Sequence, residues 1–200
     1  MSFQDLLDPQ KIIQIFGLIG VILIIFAESG LFFGFFFPGD SLLFTAGFLA
    51  SQGYLPIYIL VIGVFLASVL GDNVGYWFGK KTGPKLFIKE DSIFFKKVYI
   101  QKANLFYEEH GKKTIIIARF IPIVRTFVPI IAGMANMNYK HFVTYNILGG
   151  ALWSIGLTLF GYFLGKTIPG VDKYLLPIIL GIIIISFLPT VGHLFKKKDK

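Results

Sequence analysis

Cysteine is absent from the 200-residue sequence, and histidine occurs only three times, at isolated positions. The first absence excludes disulfides and thiolate chemistry. The second, together with the lack of an H-E-x-x-H motif, removes the usual ligands of a transition-metal centre. No nucleophile is paired with a base, as a lipid phosphatase would require. We therefore expect a protein that is not an enzyme and that uses no cofactor and no metal.

Charged residues are also scarce, at 15% of the chain, whereas hydrophobic residues make up 55% and aromatic residues 17%. Long apolar runs with few charges are typical of an integral membrane protein. The net charge of +8 comes mostly from two lysine clusters, which indicates membrane topology and not nucleic-acid binding. The N-terminus shows neither a basic region nor an A-x-A site, so no cleaved signal peptide is expected.

The segment from Ala118 to Gly133, A-R-F-I-P-I-V-R-T-F-V-P-I-I-A-G, contains the only two arginines of the chain, Arg119 and Arg125. Pro122 and Pro129 interrupt it, so a single straight helix is not expected. A broken helix at membrane depth requires shelter from protein or a water-filled cavity. A buried cation is costly there and usually faces a partner or a ligand. The segment predicts a buried anion site; the alternative is arginines that only pair with acids or reach the head groups.

A second broken segment lies near the N-terminus. An apolar helix at 12–27 ends at Glu28, and the following apolar run is broken by Pro38 and Gly39, with Asp40 next. A proline–glycine break in the middle of an apolar run favours a re-entrant hairpin over a membrane span. The following run, 55–78, is long enough to cross a bilayer and carries Asp72 near its end.

The lysine-rich segment at 81–113 has apolar residues at roughly helical spacing, which predicts an amphipathic helix on the membrane interface. The simpler alternative is a loop that only sets topology. Its lysines, and those that follow a C-terminal apolar run at 174–195, place both segments on the cytoplasmic side. We expect both termini to be cytoplasmic.

An internal repeat appears when the sequence is shifted by 86 residues, although chance agreement among glycine-rich membrane segments is an alternative. Ala46-Gly47 then falls on Ala132-Gly133, Gly75-Tyr76 on Gly161-Tyr162, and Gly79-Lys80 on Gly165-Lys166. Each half is a broken hairpin followed by one span, so the two halves have opposite orientations. The predicted fold is an all-α polytopic membrane protein built as an inverted repeat of re-entrant helical hairpin plus transmembrane helix. Its single domain, 1–200, comprises an apolar helix (12–27), repeat 1 (28–80), an interfacial amphipathic helix (81–113), repeat 2 (114–166) and a C-terminal transmembrane helix (174–195).

The repeat also predicts where the charges lie. Gly39-Asp40 aligns with Arg125-Thr126, so one hairpin supplies an acid where the other supplies a base. With Glu28 and Arg119, the charges would meet near the membrane midplane, as at the interface of a transporter's inverted repeats. Arginine presents a planar fork suited to carboxylate or phosphate. The alternative is a set of inert ion pairs that lock the hairpins together.

Three motifs resemble the DedA family of bacterial membrane proteins, which shares its domain with the eukaryotic SNARE-associated Golgi (VTT-domain) proteins. They are P-G-D-S-L-L-F-T-A-G, G-D-N-V-G-Y-W-F-G-K and A-R-F-I-P-I-V-R-T-F-V-P-I-I-A-G-M. The resemblance implies two facing re-entrant hairpins and transport of a lipid such as undecaprenyl phosphate across the bacterial inner membrane. It implies functional roles for Glu28, Asp40, Arg119 and Arg125. The supporting residues are Asp72, Pro38, Gly39, Pro122, Pro129 and Gly133.

The leading hypothesis is therefore a transporter whose arginines hold the phosphate of a membrane lipid while the tail stays in the bilayer. Glu28 and Asp40 would carry protons or compete for the arginines. The second hypothesis is a proton-coupled exporter of small solutes, for which the resemblance implies a role in pH and drug tolerance. The third is a membrane-assembly factor, which would tolerate Arg→Lys changes better than a phosphate site would. Lipids and protons are the expected partners, nucleic acid is not, and homo-oligomerisation is left open.

Overall fold

A computed structural model of the protein describes residues 9–31, 38–86, 114–168, 177–178 and 180–181. All regular elements within these ranges are helices. They are α1 (Pro9–Gly30), α2 (Gly39–Ser51), α3 (Ile57–Leu86), α4 (Thr114–Ala118), α5 (Pro122–Met134), α6 (Tyr139–Gly150), a π-helical turn (Ala151–Ile155) and α7 (Gly156–Thr167). The interfacial helix expected at 81–113 lies almost wholly outside the described residues, as does most of the span expected at 174–195.

Within the described ranges, two helical stretches are long and apolar enough to cross a membrane. They are Ile57–Thr82 within α3 and Tyr139–Thr167, in which α6, the π turn and α7 form one continuous helix. Many large apolar side chains on both stretches are exposed, as expected of surfaces that face lipid. The prediction of an all-helical fold with long apolar helices holds for the described part of the chain.

The first span extends further than the sequence indicated. We expected it to end near Phe78, but α3 continues to Leu86 and includes the first residues of the lysine-rich segment. Pro84 lies within the last turn of this helix, where it removes one hydrogen bond, to the carbonyl four residues before it, and only two further residues follow. Lysine and leucine are good helix formers and support the additional turns.

The arginine segment is broken once. Helix α4 ends at Ala118, and α5 begins at Pro122, which occupies the first helical position after the extended residue Ile121. Pro129 instead lies inside α5 and does not interrupt it, so the predicted second break is wrong. A single proline removes one backbone hydrogen bond, and the rest of the helix retains its ladder.

The two broken segments each pack on the span of the other half of the chain. The most extensive helix contacts are those of α2 with α7 and of α5 with α3. Glycines allow both: a Cβ at Gly47 would overlap the carbonyl oxygen of Thr158, and one at Gly133 would overlap that of Tyr76. Small residues permit such close helix approach in membrane proteins. Helix α1 packs against α3 and α2, which closes the bundle around the ends of α2 and α5.

Candidate functional site

Arg125, on the first turns of α5, lies between two carboxylates. Its Nη1 donates to Oδ1 of Asp40 at 2.5 Å, and its Nη2 donates to Oε1 of Glu28. Glu28 is completely buried near the end of α1, and Arg125 is only 7% exposed. Both hydrogen bonds have a charged guanidinium as donor and therefore rank among the stronger kind. The C-terminal end of α1 and the N-terminal ends of α2 and α5 thus meet at one guanidinium.

Gly39 makes room for this arrangement. A Cβ at this position would overlap the Oε2 atom of Glu28, so the carboxylate occupies the space that any other side chain would need. Gly39 is the first residue of α2, and Pro38 precedes it. The carboxylate therefore also lies at a helix N-terminus, where the helix dipole favours negative charge.

Replacing Gly39 by alanine is expected to push the Glu28 carboxylate away from Arg125. Stability should fall toward the loss expected for a broken buried ion pair, about 3–5 kcal/mol. Thermal unfolding of the purified protein in detergent would measure this change. Gly156→Ala is the matched control, since a Cβ there meets no atom within 4 Å. Equal melting temperatures for the two variants would contradict the steric role of Gly39.

Arg119, in the turn after α4, has a different set of partners. Its Nη1 donates to Oδ2 of Asp72 and to Oδ1 of Asn146, both at 2.5 Å. Its Nη2 donates to the backbone oxygen of Ser68 at 3.1 Å. The amide of Asn146 in turn donates to the backbone oxygen of Val69, which fixes its orientation. Arg119 therefore ties the middle of α3 to α6 through backbone as well as side-chain acceptors.

Trp153 joins the two arginine clusters. Its indole N–H donates to Oδ1 of Asp40 at 2.8 Å, and its ring lies 4.4 Å from the guanidinium carbon of Arg125 and 5.7 Å from that of Arg119. Cations over an indole face are attracted by the ring quadrupole. Trp153 is 1% exposed and lies at the centre of the π turn, an element that often marks functional sites.

The charges lie at mid-depth of the two candidate spans. Asp72 is close to the middle of Ile57–Thr82, and Trp153 is the midpoint of Tyr139–Thr167. A cavity of about 10 Å³, lined partly by Asp72, Arg119 and Arg125, lies between the clusters. This volume is near the minimum that accommodates one water molecule. The described part of the site places three carboxylates against two guanidiniums.

The structure brings together Glu28, Asp40 and Arg125, and separately Arg119 and Asp72. The remaining residues singled out from the sequence support these positions. Pro38 accepts a hydrogen bond from Ser41 at the start of α2, and Pro122 begins α5. Pro129 lines the small cavity, and Gly133 packs against α3.

Three participants were not identified from the sequence: Trp153, Asn146 and Ser68. One signal was present for Ser68, which falls on Ser154 in the repeat. Trp153 is one of only two tryptophans, but it stands in an aromatic-rich apolar run where another ring carries little information. Asn146 had a weaker signal, as an amide within an apolar span.

Comparisons with known proteins agree with one another. The profile of the VTT domain matches residues 37–163. The chain is 48% identical to "Protein DedA" of Escherichia coli (strain K12) over 178 residues, covering 88% of this chain and 81% of the relative. It is 48% identical to "Uncharacterized membrane protein ML0287" of Mycobacterium leprae (strain TN), covering 84% and 75% of the two chains. It is 34% identical to "Inner membrane protein YqjA" of E. coli (strain K12), covering 98% and 91%. No solved structure matches the chain.

Proposed function

The chain belongs to the DedA family of VTT-domain membrane proteins, and from this membership and its buried charges we infer that it transports a phosphate-bearing lipid. The substrate is a lipid such as undecaprenyl phosphate, translocated or scrambled across the bacterial inner membrane for envelope homeostasis. The carrying observation is Arg125, a buried guanidinium at mid-depth whose hydrogen bonds go to two carboxylates. The protein acts as a transporter and not as an enzyme.

The proposal includes an inverted repeat of two re-entrant hairpins. The packing between the two halves supports it. Helix α2 of the first half packs on α7 of the second, and α5 of the second half packs on α3 of the first, an arrangement that we call the exchange of partners. The contacts also match in register: Gly161 lies against Phe44, and Gly75 lies against Ile130, the same pair shifted by 86 residues. The N-terminal ends of both broken helices meet at the charges, as in transporters that bind anions with discontinuous helices.

Arg125 is the residue that meets the phosphate. A phosphate and a carboxylate offer the same kind of acceptor to the planar guanidinium fork, so a lipid phosphate can take the place of Glu28 or Asp40. The displaced carboxylate then turns to water or takes up a proton. The paired state in the structure is the resting state, and it reforms when the lipid leaves.

Arg119 has an anchoring role in this mechanism. A phosphate that displaced its partners would leave the backbone oxygen of Ser68 and the side chain of Asn146 without their donor. Buried acceptors that lose a partner are costly. Arg119 therefore holds α3, α6 and the turn before α5 in place and supplies positive potential to the site.

Trp153 provides a direct test of substrate binding. Trp77 and Trp153 are the only tryptophans, so in a Trp77→Phe background the emission reports the surroundings of Arg125. Addition of a phospho-polyprenol should shift the Trp153 emission to the red, because the lipid draws Arg125 from the ring and brings a polar group close. A non-phosphorylated polyprenol is the ligand control, and Trp153→Phe with Trp77 retained is the protein control. An unchanged spectrum with saturating lipid phosphate would contradict binding at Arg125.

The functional test is the movement of a fluorescent phospho-polyprenol across proteoliposomes that contain the full chain. Wild-type protein should move the lipid faster than empty liposomes. No movement with folded protein would reject the lipid-transport proposal.

A proton-coupled exporter of small solutes is the second candidate. The observation in its favour is the excess of acid, since three carboxylates, of which Glu28 and Asp72 are buried, face two guanidiniums and Arg125 is shared between two of them. Protonation of Glu28 or Asp40 would leave the other with the arginine. Dependence on a pH gradient, with indifference to added lipid phosphate, would favour this candidate over the first.

The proposed location is the bacterial inner membrane, with both termini cytoplasmic and membrane lipids and protons as partners. The relatives named as membrane proteins and the two long apolar helices support the membrane location. The segments that set the topology, the lysine-rich 87–113 and the C-terminal tail, lie outside the described residues. Homo-oligomerisation is compatible with the proposal and is not required by it.

A further inference from the structure

A groove of about 570 Å³ lies on the lipid-facing side of α3, away from the buried charges. Its lining residues are Phe26, Leu70, Asn73, Val74, Trp77, Phe78 and Lys81. Except for Phe26, which comes from α1, all belong to one face of α3 at helical spacing. The volume is within the range of about 300–1,000 Å³ that is typical of sites for small ligands. Four of the apolar side chains on this face are roughly half exposed.

One end of the groove is polar and aromatic. Lys81 lines it and is exposed, and the neighbouring Lys80 places its ammonium 5.2 Å from the centre of the Trp77 ring. Tyr139 lies beside Trp77, with ring centres 5.5 Å apart, and its hydroxyl donates to Asn73 at 2.9 Å. Tryptophan, tyrosine and lysine are the residues that settle at the head-group level of a membrane.

The groove has the length of one leaflet. Eleven residues separate Leu70 from Lys81, which at 1.5 Å per residue is about 16 Å along the helix. The hydrocarbon core is about 30 Å thick, so this distance is about half of it. The apolar end of the groove therefore reaches the middle of the bilayer when Lys81 lies at the head groups.

The other span keeps a counterpart of Lys80, which is Lys166, but lacks counterparts of Asn73 and Lys81. Shifted by 86 residues, Asn73, Trp77 and Lys81 become Leu159, Phe163 and Thr167. A helix face against bulk lipid needs neither an asparagine nor a lysine. The polar residues of the α3 face are therefore specific to it.

We propose that this groove binds one anionic phospholipid, with an acyl chain along Leu70, Val74 and Phe78 and the phosphate at Lys81. Asn73 is held in place at the groove, because its Oδ1 accepts from Tyr139 and one N–H of its Nδ2 donates to the backbone oxygen of Val69. Lys81, which is exposed at the polar end, provides the charge. The site lies apart from Arg125, so the bound lipid is a fixed partner of the fold and not the transported molecule.

Native mass spectrometry of the full-length protein in detergent tests this site. Phosphatidylglycerol and phosphatidylcholine with identical acyl chains are added separately, and the fraction of protein carrying one lipid is measured. The wild type should retain phosphatidylglycerol preferentially. Lys81→Ala should reduce that preference about fivefold, as expected for one lysine at a lipid surface. Val74→Trp, which fills the groove, should reduce the retention of both lipids.

Lys166→Ala is the matched control, because Lys166 also lies near the end of a span, 5.6 Å from the ring of Tyr162, and corresponds to Lys80 in the repeat. It should leave the preference unchanged. Equal retention of the two lipids by the wild type, or an equal loss in Lys81→Ala and Lys166→Ala, would overturn the proposal. Neither result depends on lipid transport, so the two proposals fail separately.

Discussion

Arg125→Ala is expected to abolish movement of fluorescent phospho-polyprenol in proteoliposomes, to the level of empty liposomes. The variant removes the group proposed to meet the phosphate. It also leaves the buried Glu28 and the partly buried Asp40 without their shared partner. Removing one partner of a buried ion pair costs about 3–5 kcal/mol, so the melting temperature in detergent should fall as well.

Because lost transport and lost stability would coincide in that variant, a neutral version separates them. Arg125→Met combined with Glu28→Gln and Asp40→Asn removes all three charges and should recover much of the stability, since no buried charge is left unpaired. Transport should remain absent. Arg125→Lys keeps the charge but not the planar fork and should transport poorly. Full transport by Arg125→Lys would point to an assembly factor instead, and full transport by the neutral variant would remove Arg125 from the substrate site.

Arg119→Ala should be the most destabilising substitution of the site. It leaves the buried Asp72 without its guanidinium partner and also removes the donor to the backbone oxygen of Ser68 and to the side chain of Asn146. The expected loss is at least the 3–5 kcal/mol of a broken buried pair. Size-exclusion chromatography and thermal unfolding in detergent would measure it. We expect this variant to yield less folded protein than Arg125→Ala.

The double variant Arg119→Met, Asp72→Asn tests whether Arg119 anchors the fold or binds substrate. With no unpaired charge it should regain part of the stability, although the acceptors of Ser68 and Asn146 stay without their donor. Its folded fraction should still move phospho-polyprenol at a measurable rate. A stable double variant without transport would place Arg119 in the substrate site, as the sequence alone suggested.

The charged residues were predictable because charge is rare in this chain. Arg119 and Arg125 are the only arginines of the chain and lie in an apolar segment. The free-energy cost of placing a cation inside the membrane is enough to single them out. The repeat register set Arg125 on Gly39, the neighbour of Asp40, and the side chains of Asp40 and Arg125 are in contact. The pairing of Arg119 with Asp72 had no such guide, since Asp72 corresponds to Thr158, which has no base beside it.

Packing details were harder to predict from residue type. From residue type alone, Pro129 predicts a helix break. Helix α5 nevertheless continues through it, because packing against neighbouring helices stabilises α5 and the proline removes only one hydrogen bond. Trp153 lies in a π turn, which sets the position of its side chain. In such a turn the backbone hydrogen bonds join residues five apart instead of four apart. No local propensity distinguishes that turn from ordinary α-helix in A-L-W-S-I. The sequence therefore indicated the fold and the charges, while the aromatic partner depended on three-dimensional packing.

The exchange of partners between the two halves has a consequence for how the protein is made. Chains emerge from the ribosome N-terminus first, and α2 carries Asp40 and a glycine-lined face whose partner, α7, is synthesised later. Trp153, which binds Asp40, follows it by 113 residues. The first half thus enters the membrane before Arg125 and Trp153, which bind Asp40, and α7, which packs on α2, have been made. Helix α2 can pack in its final position only after α7 has been translated. We therefore expect membrane proteases to degrade a chain that is truncated before Gly156.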